Sequence, residues 1–269
     1  MAYELPFILY NNVMDGNIFS VTSEEPGFPK ENMTDWIDWT YWKSTGPLSP
    51  EWIIVDTLNV AVDTLAILSH NLYSGGDSGS DTALIIEQDD NTAFTSATAL
   101  GSYGPTSDAP FYYTFTLSSE RYIRIRIHNM EDPIFIGVAF LGNKMEIPVG
   151  PEFSFDPDMQ EIQSEKYLNY SGRIVGSAIQ YSERMIQAPF RRISQTFIDS
   201  DILPFLEDHY GQMIPFFFVP DPGDIFGDNK IYYLIAPDNP TISLPVYNED
   251  IGFRNWTLIA NGVRQSTFR

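Results

Sequence analysis

Two short segments of alternating residues constrain the fold of this chain more than any other feature. Residues 112–117 read YYTFTL and residues 122–128 read YIRIRIH. Such alternation is typical of antiparallel strands that bury one face and expose the other. Residues 134–141 (IFIGVAFL) form a more uniformly apolar strand, and turn residues separate the segments. Short strands joined by turns, without amphipathic helices, predict a jelly-roll-like β-sandwich for the N-terminal half.

The second half contains the one good helix pattern of the chain. Residues 200–210 carry an apolar stripe at helical spacing, with Ser200 or Asp199 as the expected N-cap. Gly211 is expected to end the helix in the left-handed conformation. Residues 214–219 (IPFFFV) then read as a strand buried on both faces. With the strand patterns around it, this predicts a C-terminal β-sandwich or barrel with one inserted helix, so the fold class is all-β and mainly antiparallel.

A segment without periodicity divides the chain. Residues 148–160 contain three prolines and no strand or helix pattern, which is typical of a joint between domains. We expect residues 1–147 to form the sandwich and residues 148–162 to form a linker. Residues 163–269 are then the second domain, with its helix near residues 200–210.

The charge and composition exclude several classes of function. The chain has 15 Lys and Arg against 36 Asp and Glu, a formal net charge of −21, so nucleic acid and anionic membranes are poor partners. It has no cysteine, which excludes disulfides, zinc–thiolate sites and thiol catalysis. No apolar run reaches the length of a membrane span, and the N-terminus lacks the pattern of a signal peptide. We therefore expect synthesis in the cytoplasm and no membrane insertion.

The sequence contains no set of residues typical of catalysis. His-Glu-x-x-His, G-x-S-x-G and phosphate-loop patterns are absent. The three histidines, His70, His128 and His209, fall at the ends of predicted strands and in the last helical turn, where structural roles explain them. We expect no enzyme activity, no catalytic residues and no cofactor.

Acidic residues suggest two kinds of site, a calcium site and a glycoside hydrolase active site, and we favour structural roles over both. Asp35, Asp38, Asp56 and Asp63 supply the hard oxygen ligands that calcium prefers, but their spacing matches no known calcium loop, so solvated turn acids and no metal are expected. Carboxylate pairs such as Asp199 with Asp201, or Asp221 with Asp224, are compatible with glycoside hydrolysis. A helix start and an exposed loop explain these pairs better.

Aromatic residues give the candidate ligand site. Trp36, Trp39 and Trp42, together with Tyr73 and Tyr41, can form a platform for sugar rings. Core packing is the alternative explanation for such a cluster.

Three residues of the second half are candidates for an interface. Arg191 and Arg192 are adjacent on an expected strand, so one of them should point away from the core and contact an acidic neighbouring subunit or solvent. Phe217 lies in the buried strand that would support such an assembly.

The first half resembles the discoidin, or galactose-binding-like, β-sandwich over about residues 4–145. The residues that carry the resemblance are KENMTD at 30–35, TYWKST at 40–45, WIIVD at 52–56, Val62 with Ile67, and YIRIRI at 122–127. Many members of that family bind sugars or lipid head groups through loops at one end of the sandwich. The pair of cysteines that usually bridges the family's fold is missing.

The second half is similar to the tail-tube-like domain of distal tail and baseplate proteins of tailed bacteriophages, over roughly residues 165–265. The carrying residues are FRRISQTF at 190–197, ILPFL at 202–206, HYG at 209–211, IPFFF at 214–218 and PDP at 220–222. The resemblance implies one sector of a ring, although many distal tail proteins place the ring domain first.

These observations lead to one functional expectation and two alternatives. The expectation is a non-enzymatic structural component of a phage tail tip or baseplate, located in the tail of the virion. It would form a hexameric or trimeric ring that joins the tail tube to the host-recognition apparatus, with tube, hub and fibre proteins as partners and a host surface glycan as a further partner. The first alternative is a carbohydrate-binding protein that contacts host surface glycans. The second is a glycoside hydrolase or its accessory module.

Overall fold

The structure, a computed structural model, describes residues 4–46, 50–74, 83–152, 155–156, 159–168, 170–222, 230–237, 246–248 and 253–263. The chain divides into two compact units. One unit is Leu9–Met145, and the other is assembled from residues 4–8, 146–222 and 232–263 among those described. Both consist almost entirely of antiparallel strands, so the all-β class expected from the sequence is confirmed.

The strands are numbered in chain order through both units. They are β1 (Phe7–Leu9), β2 (Ile18–Val21), β3 (Trp42–Lys43), β4 (Glu51–Asp56), β5 (Val62–His70), β6 (Ala83–Asp89), β7 (Thr98–Tyr103), β8 (Phe111–Ser118), β9 (Tyr122–His128), β10 (Phe135–Gly142), β11 (Met145–Glu146), β12 (Gln160–Leu168), β13 (Ile174–Ser194), β14 (Phe216–Val219), β15 (Tyr232–Ile235), β16 (Val246–Asn248) and β17 (Phe253–Gly262).

The Leu9–Met145 unit is a sandwich of two antiparallel sheets. A four-stranded sheet has the order β3-β10-β5-β8, and a five-stranded sheet has the order β2-β4-β9-β6-β7. The inward residues of β9, Ile123, Ile125 and Ile127, pack in one core with residues of the opposite sheet such as Leu65 and Ile67. The outward residues of β9 are only half-buried, so the alternation read from the sequence is present in the structure.

Three strands of the sandwich have no clear signal in the sequence. β2 and β3 are only four and two residues long, and β7 reads TALGSY, with mostly exposed residues. All three lie at edges of their sheets. An edge strand buries little of its surface, so it needs no apolar pattern.

The second unit is built on one eight-stranded sheet. Seven strands follow the order β11-β1-β14-β15-β17-β13-β12, and β16 pairs with β17. Two expectations need correction here. β1 belongs to this sheet although residues 1–147 were expected to form the sandwich, and β12 begins at Gln160, inside the expected linker. The residues of β1, FIL, are all buried and do not alternate, so its sequence does not reveal which sheet it joins.

β13 is a single strand of 21 residues, although two strands were expected from its sequence. Residues 174–184 pair with β12, and residues 185–194 pair with β17. A register shift between Phe190 and Ile193 marks a bulge, and Arg192 there has a φ of +63°. The strand therefore changes partner along its length instead of ending between them.

The inserted helix starts earlier than the sequence suggested. It consists of Gln195–Phe197, a π-helical segment Ile198–Ile202, and Leu203–Asp208. The N-cap is Ser194, whose hydroxyl accepts a hydrogen bond from the Phe197 backbone N–H, and not Ser200 or Asp199. The left-handed residue after the helix is Met213 and not Gly211. Among the helices that the structure describes, none is long and apolar enough to cross a membrane.

Candidate functional site

A cavity of about 360 Å³ lies at one end of the sandwich. The strands that supply its residues are β5, at its C-terminal end, and β10, at its N-terminal end; the loops before β3 and β8 supply the rest. It is lined by Asp38, Tyr41, Ser69, His70, Asp108 and Phe135.

The position of β5 explains why these residues meet. β5 lies between β8 and β10 in the four-stranded sheet, and both neighbours run antiparallel to it. The end of β5 therefore adjoins the starts of both neighbours, at Phe111 and Phe135. A site at this end can combine residues that are far apart in the sequence.

His70 fixes the loop before β8. One ring nitrogen, Nε2, lies 3.0 Å from the carbonyl oxygen of Ala109, and the other, Nδ1, accepts a hydrogen bond of 3.2 Å from the Leu72 backbone N–H. Because Nδ1 accepts, the neutral ring must carry its proton on Nε2 and donate it to Ala109. Burial lowers the pKa of His70, although the Ala109 bond and the Asp108 charge oppose this effect. His70 is therefore a neutral connector between two loops.

Asn71 fixes the start of β10 in the same way. Its Nδ2 donates to the carbonyl oxygen of Pro133 at 2.9 Å, and its Oδ1 accepts from the Phe135 backbone N–H at 2.9 Å. Consecutive residues at the end of β5 thus hold both neighbouring strands. The walls of the cavity are fixed before any ligand enters.

Gly137 lets the loop that carries Asp38 approach β10 closely. A Cβ atom at this position would lie 2.8 Å from the Cβ of Ser69 and 3.4 Å from the carbonyl oxygen of Asp38. No larger residue fits there without displacing one of them. Ser69 itself has a φ of +56°, in the left-handed region.

Asp108 supplies a charged oxygen at the cavity. Its Oδ1 accepts hydrogen bonds from the backbone N–H groups of Tyr73 at 2.9 Å and Ser74 at 3.0 Å. Burial alone would raise the pKa of Asp108, but the hydrogen bonds from Ser74 and Tyr73 and the nearby His70 together hold the pKa below its usual value. The carboxylate is therefore ionised at neutral pH and remains partly exposed.

Two aromatic rings form the apolar part of the lining. Tyr41 stacks on Phe28 with ring centroids 4.8 Å apart, and it lies 5.5 Å from the Phe135 ring at an angle of 55°. Both Tyr41 and Phe135 are half-buried, so part of each ring faces solvent. Rings held in this way can pack on the apolar face of a ligand.

The structure separates the four aromatic residues predicted to bind a ligand. Trp42 is fully buried and its Nε1 donates to the carbonyl oxygen of Ser23, so it is a core residue and the prediction is corrected. Trp36 is half-buried and its ring lies 6.5 Å from the buried Phe140. Trp39 and Tyr73 are exposed. Trp39 follows Asp38 in the chain, and the backbone N–H of Tyr73 is hydrogen-bonded to Asp108, so both residues are neighbours of cavity residues.

Three of the four aspartates considered for calcium serve separate structural roles, and the fourth, Asp38, lines the cavity. Asp35 accepts from the Ile37 N–H and the Thr40 hydroxyl, and Asp63 accepts from the Lys144 N–H. Asp56 makes a bidentate pair with Arg121. Within the described ranges, no group of three or more His, Asp and Glu residues is arranged to hold a metal ion.

The remaining histidines and carboxylates lie in the structure as follows. His209 is buried, with Nε2 2.7 Å from the carbonyl oxygen of Pro215, and burial lowers its pKa, so it is neutral and does not act as a cation at the helix end. His128 ends β9.

Asp199 accepts from Gln195 near the helix start, as expected for a structural role. Asp221 is buried and not in an exposed loop, and Asp224 lies outside the described residues.

The three residues predicted at an interface do not form a common surface. Arg191 is exposed and forms an ion pair with Glu152 of the same chain. Arg192 is also exposed, because the bulge places both arginines outward where simple alternation predicted only one. Phe217 is completely buried and its ring lies 5.0 Å from that of Tyr233, so it is a core residue of its own unit. The interface assignment of Phe217 is therefore corrected.

Sequence reasoning had singled out only part of the cavity. The sequence offered Asp38 only in a less favoured calcium alternative, Tyr41 as part of the aromatic cluster and His70 as a strand end, and it did not indicate Ser69, Asp108 or Phe135. A usable signal was present, because His70 falls at the end of one predicted strand and Phe135 is the second residue of another. The missing information was that these strands are neighbours.

No protein-family model matches the chain, and no curated protein matches it. Solved structures with similar folds include a chitosan-binding module of a Paenibacillus chitosanase/glucanase (17% identity, 49% of this chain and 98% of that one, TM-score 0.39). Others are the C-terminal domain of a Bacteroides fragilis chitobiase (23%, 49% and 96%, TM-score 0.37) and the CBM32 module of AlyQ with an unsaturated mannuronic acid (24%, 46% and 95%, TM-score 0.34). At these scores the similarity does not identify a function for this chain.

Proposed function

We propose that the Leu9–Met145 unit is a carbohydrate-binding module that takes up a sugar unit in the cavity at the end of β5. The observation that carries this proposal is the combination of half-exposed aromatic rings with fixed polar groups in one cavity. Tyr41 and Phe135 offer apolar ring surface, and Asp38, Ser69 and Asp108 offer oxygen atoms to sugar hydroxyls. Ligand cavities in general pair a largely apolar lining with a few well-placed polar groups.

The cavity suits binding without chemical change. His70 has both ring nitrogens engaged, with Leu72 and Ala109, so it is not free to act as a proton donor or acceptor for a substrate. Trp39 and Tyr73 are exposed and adjoin cavity residues, and we assign to their rings the contacts with sugar units beyond the first. A module that binds glycans without turnover is the reading that these contacts favour.

The test is a binding measurement on the full chain. We expect it to bind immobilised glycans in a screen that includes neutral, amino and acidic sugars. Replacing Tyr41 by alanine removes one of the two rings of the lining and should weaken binding about fivefold, since ring stacking contributes on the order of 1 kcal/mol. Trp39→Ala should weaken binding of oligosaccharides more than that of monosaccharides.

Phe19→Ala is the matched control, because Phe19 is also an exposed aromatic residue but lies on β2, in the other sheet. It should bind as the parent does. Thermal unfolding of each variant separates lost binding from lost folding. Unchanged binding by a folded Tyr41→Ala protein would refute the site, and no binding to any glycan would refute the function.

A second proposal concerns the unit built on the eight-stranded sheet, and it retains the expectation of a structural role in a phage tail tip. The supporting observation is the arrangement of the helix at residues 195–208, directly followed in the chain by the buried aromatic strand β14. Its ring of subunits, its tail-protein partners and its location in the virion are parts of this proposal. The solution mass by light scattering, with negative-stain images, tests it: a closed ring supports it, and a monomer with or without tail-tube protein opposes it.

A further inference from the structure

The cavity also indicates which class of sugar it accepts, an inference that rests on the proposed carbohydrate-binding function. Two of its lining residues, Asp38 and Asp108, carry carboxyl groups, and none of the described lining residues is Lys or Arg. Asp38 is almost completely buried, whereas Asp108 keeps part of its side chain exposed. A ligand group placed beside Asp108 meets acceptor oxygens and the negative charge of its carboxylate.

The neighbouring cation does not offset this charge. Lys43 is the β3 partner of Phe135, but its Nζ lies 2.7 Å from the Glu25 carboxylate and over the ring of Phe28. The Lys43 charge is therefore neutralised by Glu25. The nearby His70 is neutral, because its Nδ1 accepts from the Leu72 N–H and only its Nε2 carries a proton.

Donor groups in the cavity are few. The proton of His70 Nε2 is already donated to Ala109, so among the described lining residues the remaining side-chain donors are the hydroxyls of Ser69 and Tyr41. Oδ1 of Asp108 accepts from two backbone N–H groups and is fixed in place by them. A cavity of fixed acceptors selects a ligand that donates hydrogen bonds and carries positive charge.

We propose that the cavity prefers a sugar unit with a free, protonated amino group, and that Asp108 is the residue that selects it. An ammonium group supplies three donors and a charge to the Asp108 carboxylate. A neutral sugar binds through its hydroxyls alone, and a uronic acid is repelled. The ligand class is therefore an amino sugar that is not acetylated on nitrogen.

Matched sugar pairs test this directly. Glucose with glucosamine, galactose with galactosamine, and mannose with mannosamine differ only in a hydroxyl replaced by an amine. Titration of the full chain, followed by NMR below the pKa of the amine, should show at least one amine binding about tenfold more tightly than its neutral partner, in the range of a charge-assisted hydrogen bond. Glucuronate should bind more weakly than glucose, and added salt should reduce the amine preference.

Two variants locate the selectivity. Asp108→Asn keeps an oxygen to accept from Tyr73 and Ser74 while it removes the charge, so the ratio of amine affinity to neutral-sugar affinity should fall to roughly twofold or threefold. Glu120→Gln makes the same change of charge in the turn after β8, at the other end of that strand, and should leave the preference unchanged.

Each outcome decides between the two proposals. Binding of neutral sugars without any preference for amines overturns this inference and leaves the proposed function standing. An amine preference that persists in a folded Asp108→Asn protein overturns the role of Asp108. If none of the six sugars binds, the inference fails, and the glycan screen described above decides whether the proposed function fails with it.

Discussion

The Asp108 carboxylate accepts the backbone N–H of Tyr73 at 2.9 Å, and this bond joins the loop after β5 to the loop before β8. The two residues are 35 positions apart in the chain, and each belongs to a loop that borders the cavity. The Asp108 carboxylate, which we propose selects the ligand, therefore also holds the loop that carries the exposed Tyr73 ring. Changes at the cavity consequently affect both the affinity and the local stability of this end of the sandwich.

Gly137→Ala should disturb the cavity without replacing any of its lining residues. The added Cβ would lie 2.8 Å from the Cβ of Ser69, so β10 or the end of β5 must shift. We expect a loss of about 1–3 kcal/mol in the free energy of unfolding and weaker glycan binding. Gly46→Ala is the control, since a Cβ there meets nothing within 4 Å, and it should change neither quantity. If urea unfolding gave the same free energy of unfolding for Gly137→Ala and Gly46→Ala, the close approach of Gly137 to Ser69 would be contradicted.

Acidification should weaken the sandwich through His70. Burial lowers its pKa below the ordinary 6.5, so the unfolded chain binds the proton first as the pH falls. The free energy of unfolding should therefore decrease as the pH falls below about 6.5, until the pKa of the folded state is passed. Protonation of Nδ1 also removes the hydrogen bond from Leu72, while Asp108 at 3.9 Å and Asp38 in the same cavity moderate the loss.

The His70 prediction is checked by urea unfolding at several pH values. His70→Gln should reduce the pH dependence below 6.5 but not abolish it, because burial lowers the pKa of His209 and His128 as well. His209→Gln provides the comparison in the other unit. An NMR titration that places the His70 pKa at or above 6.5 would contradict the prediction.

Glu51 should produce the opposite dependence on pH. It is completely buried, and burial raises the pKa of its carboxyl above the ordinary 4.5, despite the hydrogen bond of 2.7 Å from Ser23. The folded protein then binds this proton more tightly than the unfolded chain, so the free energy of unfolding falls as the pH rises above about 4.5. Glu51→Gln keeps an acceptor for Ser23 and removes the charge.

We therefore expect Glu51→Gln to be at least as stable as the parent at neutral pH, and to lose this advantage at lower pH. Urea unfolding at neutral pH and at acidic pH measures the difference in the free energy of unfolding between Glu51→Gln and the parent. Glu120→Gln is the control at an exposed position. A variant that is less stable than the parent at neutral pH would show that the charged form is stabilised in the fold.

Glycine substitutions should distinguish the two adjacent arginines of β13. Arg192 has a φ of +63°, where a side chain is strained, so Arg192→Gly should leave the free energy of unfolding unchanged or raise it by up to about 1 kcal/mol. Arg191→Gly relieves no such strain and removes the ion pair with Glu152, so it should lower stability by about 0.5–1 kcal/mol. Chemical denaturation of both variants gives the comparison, and a loss at Arg192 as large as at Arg191 would argue against the bulge.

Phe217 should be among the most sensitive positions of the second unit. Its side chain is completely buried against Tyr233, so Phe217→Ala should lower the free energy of unfolding by about 3–5 kcal/mol. Phe217→Leu keeps most of the volume and should have a much smaller effect. Hydrogen exchange should show the loss of protection in β14 and β15 first. A small effect of Phe217→Ala would contradict the buried strand.

The parts of the fold that could be predicted are those that depend on local pattern. β9 alternates because one face of its sheet is buried, and β10 is continuously apolar because seven of its eight residues are buried. The sequence indicates two strands, residues 172–179 and 190–197, because the mostly polar segment between them ends in Pro189; this division was wrong. The structure keeps the strand continuous by pairing Pro189 with Thr257 of β17 and by placing the bulge after it.

The candidate site depends on topology and could be predicted only in part. Asp38, His70, Asp108 and Phe135 come from four distant segments, and nothing local indicates that β5 lies between β8 and β10. The aromatic cluster was visible in the sequence, but the burial of Trp42 against the exposure of Trp39 was not. Trp39 lies in the loop before β3 and Trp42 lies in β3 itself; the two differ in burial because only Trp42 faces the core.

Ser194 ends β13 and also caps the helix that follows, and this has a consequence for the order of folding. Its partner in the sheet is Phe253, 59 residues later in the chain. A short helix normally forms from local contacts on a fast timescale, but the hydroxyl that caps this one is positioned by a strand pairing of long range. During refolding, the helix should therefore gain protection together with the β13–β17 pairing and not before it.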